Sequence, residues 1–424
     1  MPIIEIPKFI RSAMKTFIGQ TLSNRPQREH MAQYITGLIM SENKTITGIT
    51  DDFPDAPDQS CKNRFLTSAD WDVNALNEAR IQWLQTSEDT AFHPKGIIAL
   101  DDVLIDNAGK QIKDVGYFWD HAEQRHKLAQ DILIINYVNP TSGKHYPLEF
   151  RRFKKEDQCE LTGEDFKKLT TLAIELIDWC HDHKVPGTFT FDSFYTCKEI
   201  LNHINSLTVS GKTGEEARGY VGDLKFNRKI EFNGVVQQAQ EFAKTLPGNC
   251  RKPITLDGQK QWYFTRSIHI PEVDHKVRIV ILWEHKNDAE PKKILVTNKT
   301  YWRAERVAQS YKYRWTGTET FHRDGKQELG LGDCQLRSDM GQTRYTYLVF
   351  LAYSFLIHEL DKTSASEWAC VKLTTIGEAC RALIRDSLKS VIKWVAEEIE
   401  SSLRSGRRDI TKPLAGIMQR LRLA

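Results

Sequence analysis

Over the first ninety residues apolar positions recur with a helical period, broken at "TDDFPDAPDQS", where two prolines and four aspartates mark a loop. "FLTSADWDVNALNEARIQWL" resumes the helical pattern, with Ser68 or Asp70 as its N-cap. The period changes at "KGIIALDDVLIDNAGK". There Ile97, Ile98, Ala99 and Leu100 form the continuous apolar run of a strand buried on both faces, ending at Asp101-Asp102. "DILIINYV" and "KHYPLEFRRF" read as two further strands joined across "NPTSG". A helix follows from about Glu164 to His181, with Phe166, Leu169, Ala173, Leu176 and Ile177 as its core stripe. "GTFTFDSF" is a short strand with Asp192 at its end, "CKEILNHINSL" a helix, and "GYVGDLKFN" a further strand.

Residues 226–290 read as an inserted β-rich module, with "KQWYFTRSIHI" and "HKVRIVILWEH" alternating around "PEVD" as a hairpin. "KKILVTNKT" is again strand, and "YWRAERVAQSY" and "ETFHRDGK" are helical; "TYLVFLAYSFLIHEL" (346–360) is long enough for a buried helix. The rest is helical and ends in a basic tail containing Arg404, Arg407, Arg408, Lys412, Arg420 and Arg422. The expected organisation is an α/β core in two parts (91–225 and 291–360) around the insertion. A helical segment flanks it on each side, 1–90 and 361–424.

A chain of 424 residues can bury a large core, and its net charge of +3 means that a polyanion would have to be met by local basic patches. The eight cysteines are scattered without CxxC pairs, which argues for reduced thiols and a cytoplasmic protein. The start of the chain has charges interrupting every apolar run, unlike a signal peptide, and no segment reaches the roughly 18 apolar residues of a membrane span.

Three acids stand out by position: Asp102 at the end of the first strand, Asp192 at the end of a later one, and Glu319 on a helix far downstream. Carboxylates from separate elements can converge on hard cations. Singly, each has a structural explanation: Asp101-Asp102 as the start of a turn, Asp192 as a helix cap, Glu319 as partner of Arg323. What sets them apart is a nearby strip in which Lys292, Lys293, Lys299, Arg303, Arg306, Lys312 and Arg314 face the single acid Glu305. It is interleaved with Tyr301, Trp302, Tyr311, Tyr313 and Trp315. Cations neutralise phosphates and aromatic faces accept unstacked bases. On the helical period Glu319, Arg323 and Lys326 share one face.

Here "YKYRW", "ETFHRDGK" and "QELGLGDCQLRS" resemble the Y-R-E-K signature and its continuation in bacterial insertion-sequence transposases of the DDE superfamily, most similar to the 701-type branch. "IALDDV", "FTFDSFYT" and "YVGDLKFNRK" follow the order that family has. The resemblance covers roughly residues 60–360. It implies an RNase H-like core with a β-rich insertion before the Glu helix, and Asp102, Asp192 and Glu319 as catalytic ligands of two Mg²⁺ ions, replaceable by Mn²⁺. Asp101 is the alternative to Asp102. It also implies phosphate contacts from Tyr311, Arg314 and Lys326. The charged and aromatic residues add Arg323, Lys299 and Trp302 as candidate DNA contacts, with Trp302 either stacking on a flipped base or packed in the core. One more residue separates Arg314 from Glu319 than the family pattern has, whereas the Glu319-to-Lys326 interval fits. The implied activity is a transposase that binds its element's inverted-repeat ends, pairs them as a homodimer, cleaves them and joins the 3′-hydroxyls to target DNA. The helical segment 1–90, with basic residues Lys8, Arg11, Lys15, Arg25, Arg28, Lys44, Lys62 and Arg64, is the candidate for reading those ends or, equally, a dimerisation cap. The alternatives are a nuclease of the same fold that joins nothing, and a silent DNA-binding derivative. A nucleoid-associated location follows from the same resemblance.

Overall fold

The computed structural model describes residues 2–18, 21–22, 24–54, 56–106, 109–211, 214–360, 366–369, 371–404 and 411–420. The chain begins with short helices: α1 (Lys8–Ala13), a π-helical turn (Met14–Ile18), α2 (Arg25–Met40), α3 (Ile46–Asp52), α4 (Gln59–Thr67) and α5 (Val73–Leu84). Side-chain caps begin four of them, with Asn24, Thr45, Asp58 and Asp72 each accepting from a first-turn N–H.

β1 (Ile97–Asp106) follows, then β2 (Gly116–Asp120), β3 (Arg125–Val138) and β4 (His145–Phe153). β1 is longer than the apolar run suggested. Val103 and Ile105 stay buried beyond the two aspartates and the pairing with β3 continues to Asp106, so Asp101 and Asp102 lie inside a strand. The helix expected from Glu164 starts only at Leu169, as α7 (Leu169–Asp182); a separate helix, α6 (Glu156–Thr162), precedes it and ends at Gly163, in the left-handed region at φ 67°. Next come β5 (Thr188–Phe191), α8 (Lys198–Ser206), the hairpin β6 (Thr208–Gly211) and β7 (Gly214–Ala217), and β8 (Tyr220–Asp223).

The central strands are ordered β4-β3-β1-β5-β8, β1 antiparallel to β3 and parallel to β5, and β5 parallel to β8. This is the mixed sheet of an RNase H-like core, carrying β2 as an extra strand on β3. After a separate hairpin, β9 (Lys229–Phe232) with β10 (Val235–Gln238), and α9 (Ala239–Thr245), the chain forms β11 (Lys252–Leu256), β12 (Gln259–Ile268), β13 (Val277–Trp283) and β14 (Lys293–Thr297). Those four prolong the same sheet in the order β11-β12-β13-β14-β8. Most of segment 226–290 therefore widens the core sheet.

α10 (Ala304–Glu328) then crosses the sheet on the face of Ala99 and Asp101. α11 (Asp339–Glu359), α12 (Ser366–Ala369), α13 (Ile376–Arg404) and α14 (Thr411–Arg420) complete the chain. Gly317 is where α10 meets the sheet: a Cβ there would lie 2.8 Å from Val138 and 3.0 Å from Ala99. α7 lies on the other face, its Glu175 reaching Arg151 of β4. α11 is buried almost throughout and is covered by the N-terminal helices; Tyr34 and Tyr345 meet edge to face at 6.1 Å, as do Trp83 and Phe355 at 5.2 Å. Of the basic tail, Arg407, Arg408 and Arg422 lie outside the described residues.

Candidate active site

Because successive strand residues point to opposite faces, Asp101 and Asp102 look into different surroundings. Asp101 faces α10. Its Oδ2 accepts from the Arg314 guanidinium and, at 3.3 Å, from the Thr318 hydroxyl one turn further on. Asp102 faces away and accepts from Tyr195 Oη at 2.6 Å. On that side its carboxylate feels Asp131 of β3, whose pKa burial, reinforced by Asp102, pushes well above the usual range. Asp102, the residue expected to join Glu319, is thus directed to the opposite side of the sheet, and Asp101 shares a face with the Glu helix.

Asp192 follows β5. Its Oδ1 caps the turn rather than a helix, accepting from the N–H groups of Phe194 at 2.8 Å and Tyr195 at 3.2 Å. Glu319 is half-buried on α10, with no hydrogen-bond partner among the described residues. A fourth acid joins this face, which the sequence reading passed over: Asp223, the last residue of β8. It pairs with Lys293 at 3.0 Å and accepts from Tyr311 Oη at 3.5 Å. Its signal was present, since it ends a strand parallel and adjacent to the one that Asp192 follows.

Arg314 sits among these groups. Burial disfavours its charge, but Asp101, Tyr311, Asp192 and Glu319 outweigh that and raise its pKa. Its Nε is buried, with no hydrogen-bond partner among the described residues. Burial, with Asp102, Asp192 and Glu319 adding like charge, pushes the Asp101 carboxyl up to about 7 against the pull of Arg314. Asp223 is raised too, by burial first, with Lys293 opposing.

Other residues singled out from the sequence fall elsewhere. Trp302 is only 5% exposed, packed among Val221, Leu295 and Val307 with the Arg306 guanidinium 3.7 Å from its ring centroid, so its face is not available to a base. Lys299 is committed to Glu216 at 3.3 Å and the Ala217 carbonyl at 2.7 Å, inside the fold. Neighbours distant in the chain and invisible in the local sequence set both placements, apolar side chains for Trp302 and the Glu216 carboxylate with the Ala217 carbonyl for Lys299. Arg323 pairs with Asp324 at 3.0 Å. Lys326 is exposed at the end of α10, in the field of Asp106, Asp120 and Glu319.

The donor chemistry suits a hard divalent cation: carboxylates from three strands and a helix, in a region where a guanidinium already supplies positive charge. Among the described residues no three carboxylate, imidazole or thiolate side chains are gathered closely enough to hold one ion as they stand.

The sheet has RNase H-like order, with acids at the ends of β5 and β8, on β1 and on the crossing helix. A family model described as DDE superfamily endonuclease matches residues 18–215, which include Asp101, Asp102 and Asp192 and stop before Asp223 and α10. That similarity supports a nuclease-type enzyme. No curated protein matches the chain.

Proposed function

We propose that the protein is a DNA transposase of the DDE kind, cleaving the ends of its own element and joining the freed 3′-hydroxyls to target DNA. The observation that carries this reading is the gathering of Asp101, Asp192, Asp223 and Glu319 around Arg314 on an RNase H-like sheet. In this reading Asp101 rather than Asp102 is the first ligand, because only Asp101 shares a face with Glu319. Asp101, Asp192 and Glu319 would hold Mg²⁺, with Mn²⁺ as a substitute, and Asp223 would keep Lys293 and Tyr311 in place. When bound, a pair of such ions supplies charge stabilisation to the attacking and leaving oxygens of an in-line displacement. The chain's own part is to orient and neutralise. Arg314, freed from Asp101, and Lys326, two turns beyond Glu319, reach phosphate oxygens, and Thr318 fixes the Asp101 carboxylate. The exposed cations of the N-terminal helices, Lys8, Arg11, Lys15, Arg25 and Arg64, are the candidates for reading the ends, in a homodimer. Lys44 and Lys62 of the same segment are buried and are not among them.

The test is Mg²⁺-dependent nicking of labelled element-end DNA. Asp101→Asn, Asp192→Asn and Glu319→Gln each abolish nicking while end binding, dominated by phosphate contacts, persists. Asp102→Asn keeps measurable nicking. Full activity in Asp101→Asn with loss in Asp102→Asn would reverse the assignment. A pre-cut end that is never joined to target DNA would leave a nuclease of the same fold.

A further inference from the structure

Beside Asp192 lies a cleft of about 370 Å³ between the 193–197 turn and the connection from β8 to β9. Ser193, Phe194, Lys225, Arg228 and Lys229 line it, with Glu272 as its acid. One wall is tied to the carboxylate site and the other to the sheet beside it. Phe194 donates its N–H to Asp192, and the opposite wall starts at Leu224, immediately after Asp223, with its N–H on the Ile294 carbonyl at 2.7 Å.

The charge of this cleft differs from that of its surroundings. Nearby cations have carboxylate partners: Lys293 with Asp223, Lys299 with Glu216, Lys312 with Asp257. Glu272 gives its ion pair to Lys198 at 2.8 Å, and Arg228 only feels its field. Lys225, Arg228 and Lys229 have no carboxylate partner among the described residues. Three unpaired cations within five positions of a turn repel one another, and a polyanion removes that repulsion. Phe194 adds a second feature: its ring is 46% exposed, buttressed edge-on by Tyr195 at 5.0 Å, with Lys225 Nζ 5.9 Å from its centroid. A rigidly held, exposed aromatic face beside cations suits an unpaired nucleic-acid strand, with phosphates on the cations and a base on the ring.

We propose that this cleft seats the unpaired DNA strand flanking the bond to be cut, with Lys225, Arg228 and Lys229 on its phosphates and Phe194 under a base. The proposal rests on the DNA-cleaving reading above. It is tested without divalent metal, in full-length Glu319→Gln protein, by titrating labelled duplexes with and without an unpaired flank over a range of salt. With three phosphate contacts removed, the triple variant Lys225→Gln, Arg228→Gln, Lys229→Gln loses about 2 to 3 from the slope of log K against log salt. Its affinity for the flanked duplex falls at least tenfold at about 0.1 M salt, while its thermal melt is little changed, since Lys225 and Lys229 are exposed and the half-buried Arg228 has no carboxylate partner among the described residues. Lys225→Arg with Lys229→Arg retains the slope. Phe194→Ala weakens binding of the flanked duplex several-fold and leaves the blunt duplex alone. An unchanged salt slope in the triple variant overturns the proposal, as does equal loss on both duplexes with Phe194→Ala silent. If instead Glu319→Gln cleaves like wild type, the catalytic reading fails whatever the cleft does; if Glu319→Gln is dead and the slope does not move, the cleft alone fails.

Discussion

At Asp101 two opposing effects meet on one carboxylate: removal from water and three neighbouring acids favour its proton, and Arg314 favours its charge. The first wins, and the carboxyl is raised to about 7. The sign of the consequence follows from linkage. Between the unfolded pKa of about 4 and the folded one, the native state holds more protons than the unfolded state, so this group's contribution to stability falls as pH rises through that window. Metal-free Asp101→Asn lacks the slope. Its stability relative to wild type therefore improves steadily from pH 4 to pH 7, whatever constant offset the unpaired Arg314 adds. Denaturant titrations at four pH values with chelator present measure this; a constant difference between the two proteins would mean that Asp101 ionises at an ordinary pKa. Arg314 belongs to the same balance, a cation held where a metal would bring charge.

At the scale of elements, α10 delivers Arg314, Thr318 and Glu319 to the sheet, and Gly317 sets how close it comes. Gly317→Ala places a methyl 2.8 Å from Val138 Cγ2, between a helix and a strand that are both backbone-paired. Helix propensity favours alanine by up to about 1 kcal/mol, but overpacking costs about 1–3 kcal/mol. The variant therefore melts lower than wild type and loses nicking more steeply than stability, because the helix is lifted from Asp101; an alanine protein that is more stable and equally active would show that the contact yields. The same helix shows what could be read in advance. Its charged face and the apolar run of β1 are local patterns, visible as periods, and both led to the right elements. The side of the sheet to which Asp101 or Asp102 turns depends on where β1 ends, and that is decided by its pairing with β3, more than twenty residues away. Likewise Trp302 and Lys299 have the composition of a nucleic-acid strip, and only packing against β8, β13 and β14 or an ion pair to Glu216 takes them out of it. Asp223 ends a segment legible as a strand, and a lone acid at a strand end has no period to single it out.

For the whole molecule, the helical segment 1–90 shares its packing with the helices and strands that follow it. Arg80, only 1% exposed, gives hydrogen bonds to Ser354 at 2.8 Å on α11 and to the Leu148 carbonyl at 3.2 Å on β4. In return Arg344 of α11 reaches the carbonyls of Phe65, Leu66 and Trp71. Around these bonds Tyr34, Ile35, Leu38, Phe65, Leu66 and Leu84 belong to one apolar core with α11 and the sheet. Each such side chain contributes about 1.5–3 kcal/mol when buried, so deleting the segment forfeits more than the roughly 5–15 kcal/mol by which a domain is stable. A fragment of residues 91–424 is therefore expected to lack a cooperative melt and to bind a hydrophobic dye. The full chain should lose its near-ultraviolet and far-ultraviolet signals together. Recognition of element ends has to be mapped with point changes at exposed Arg11, Lys15 and Arg25, since removing the segment would unfold the sheet that holds the carboxylates. If the fragment melts cooperatively and still cleaves DNA in the presence of Mg²⁺, the helices are an appended module and the shared core does not stabilise the catalytic sheet.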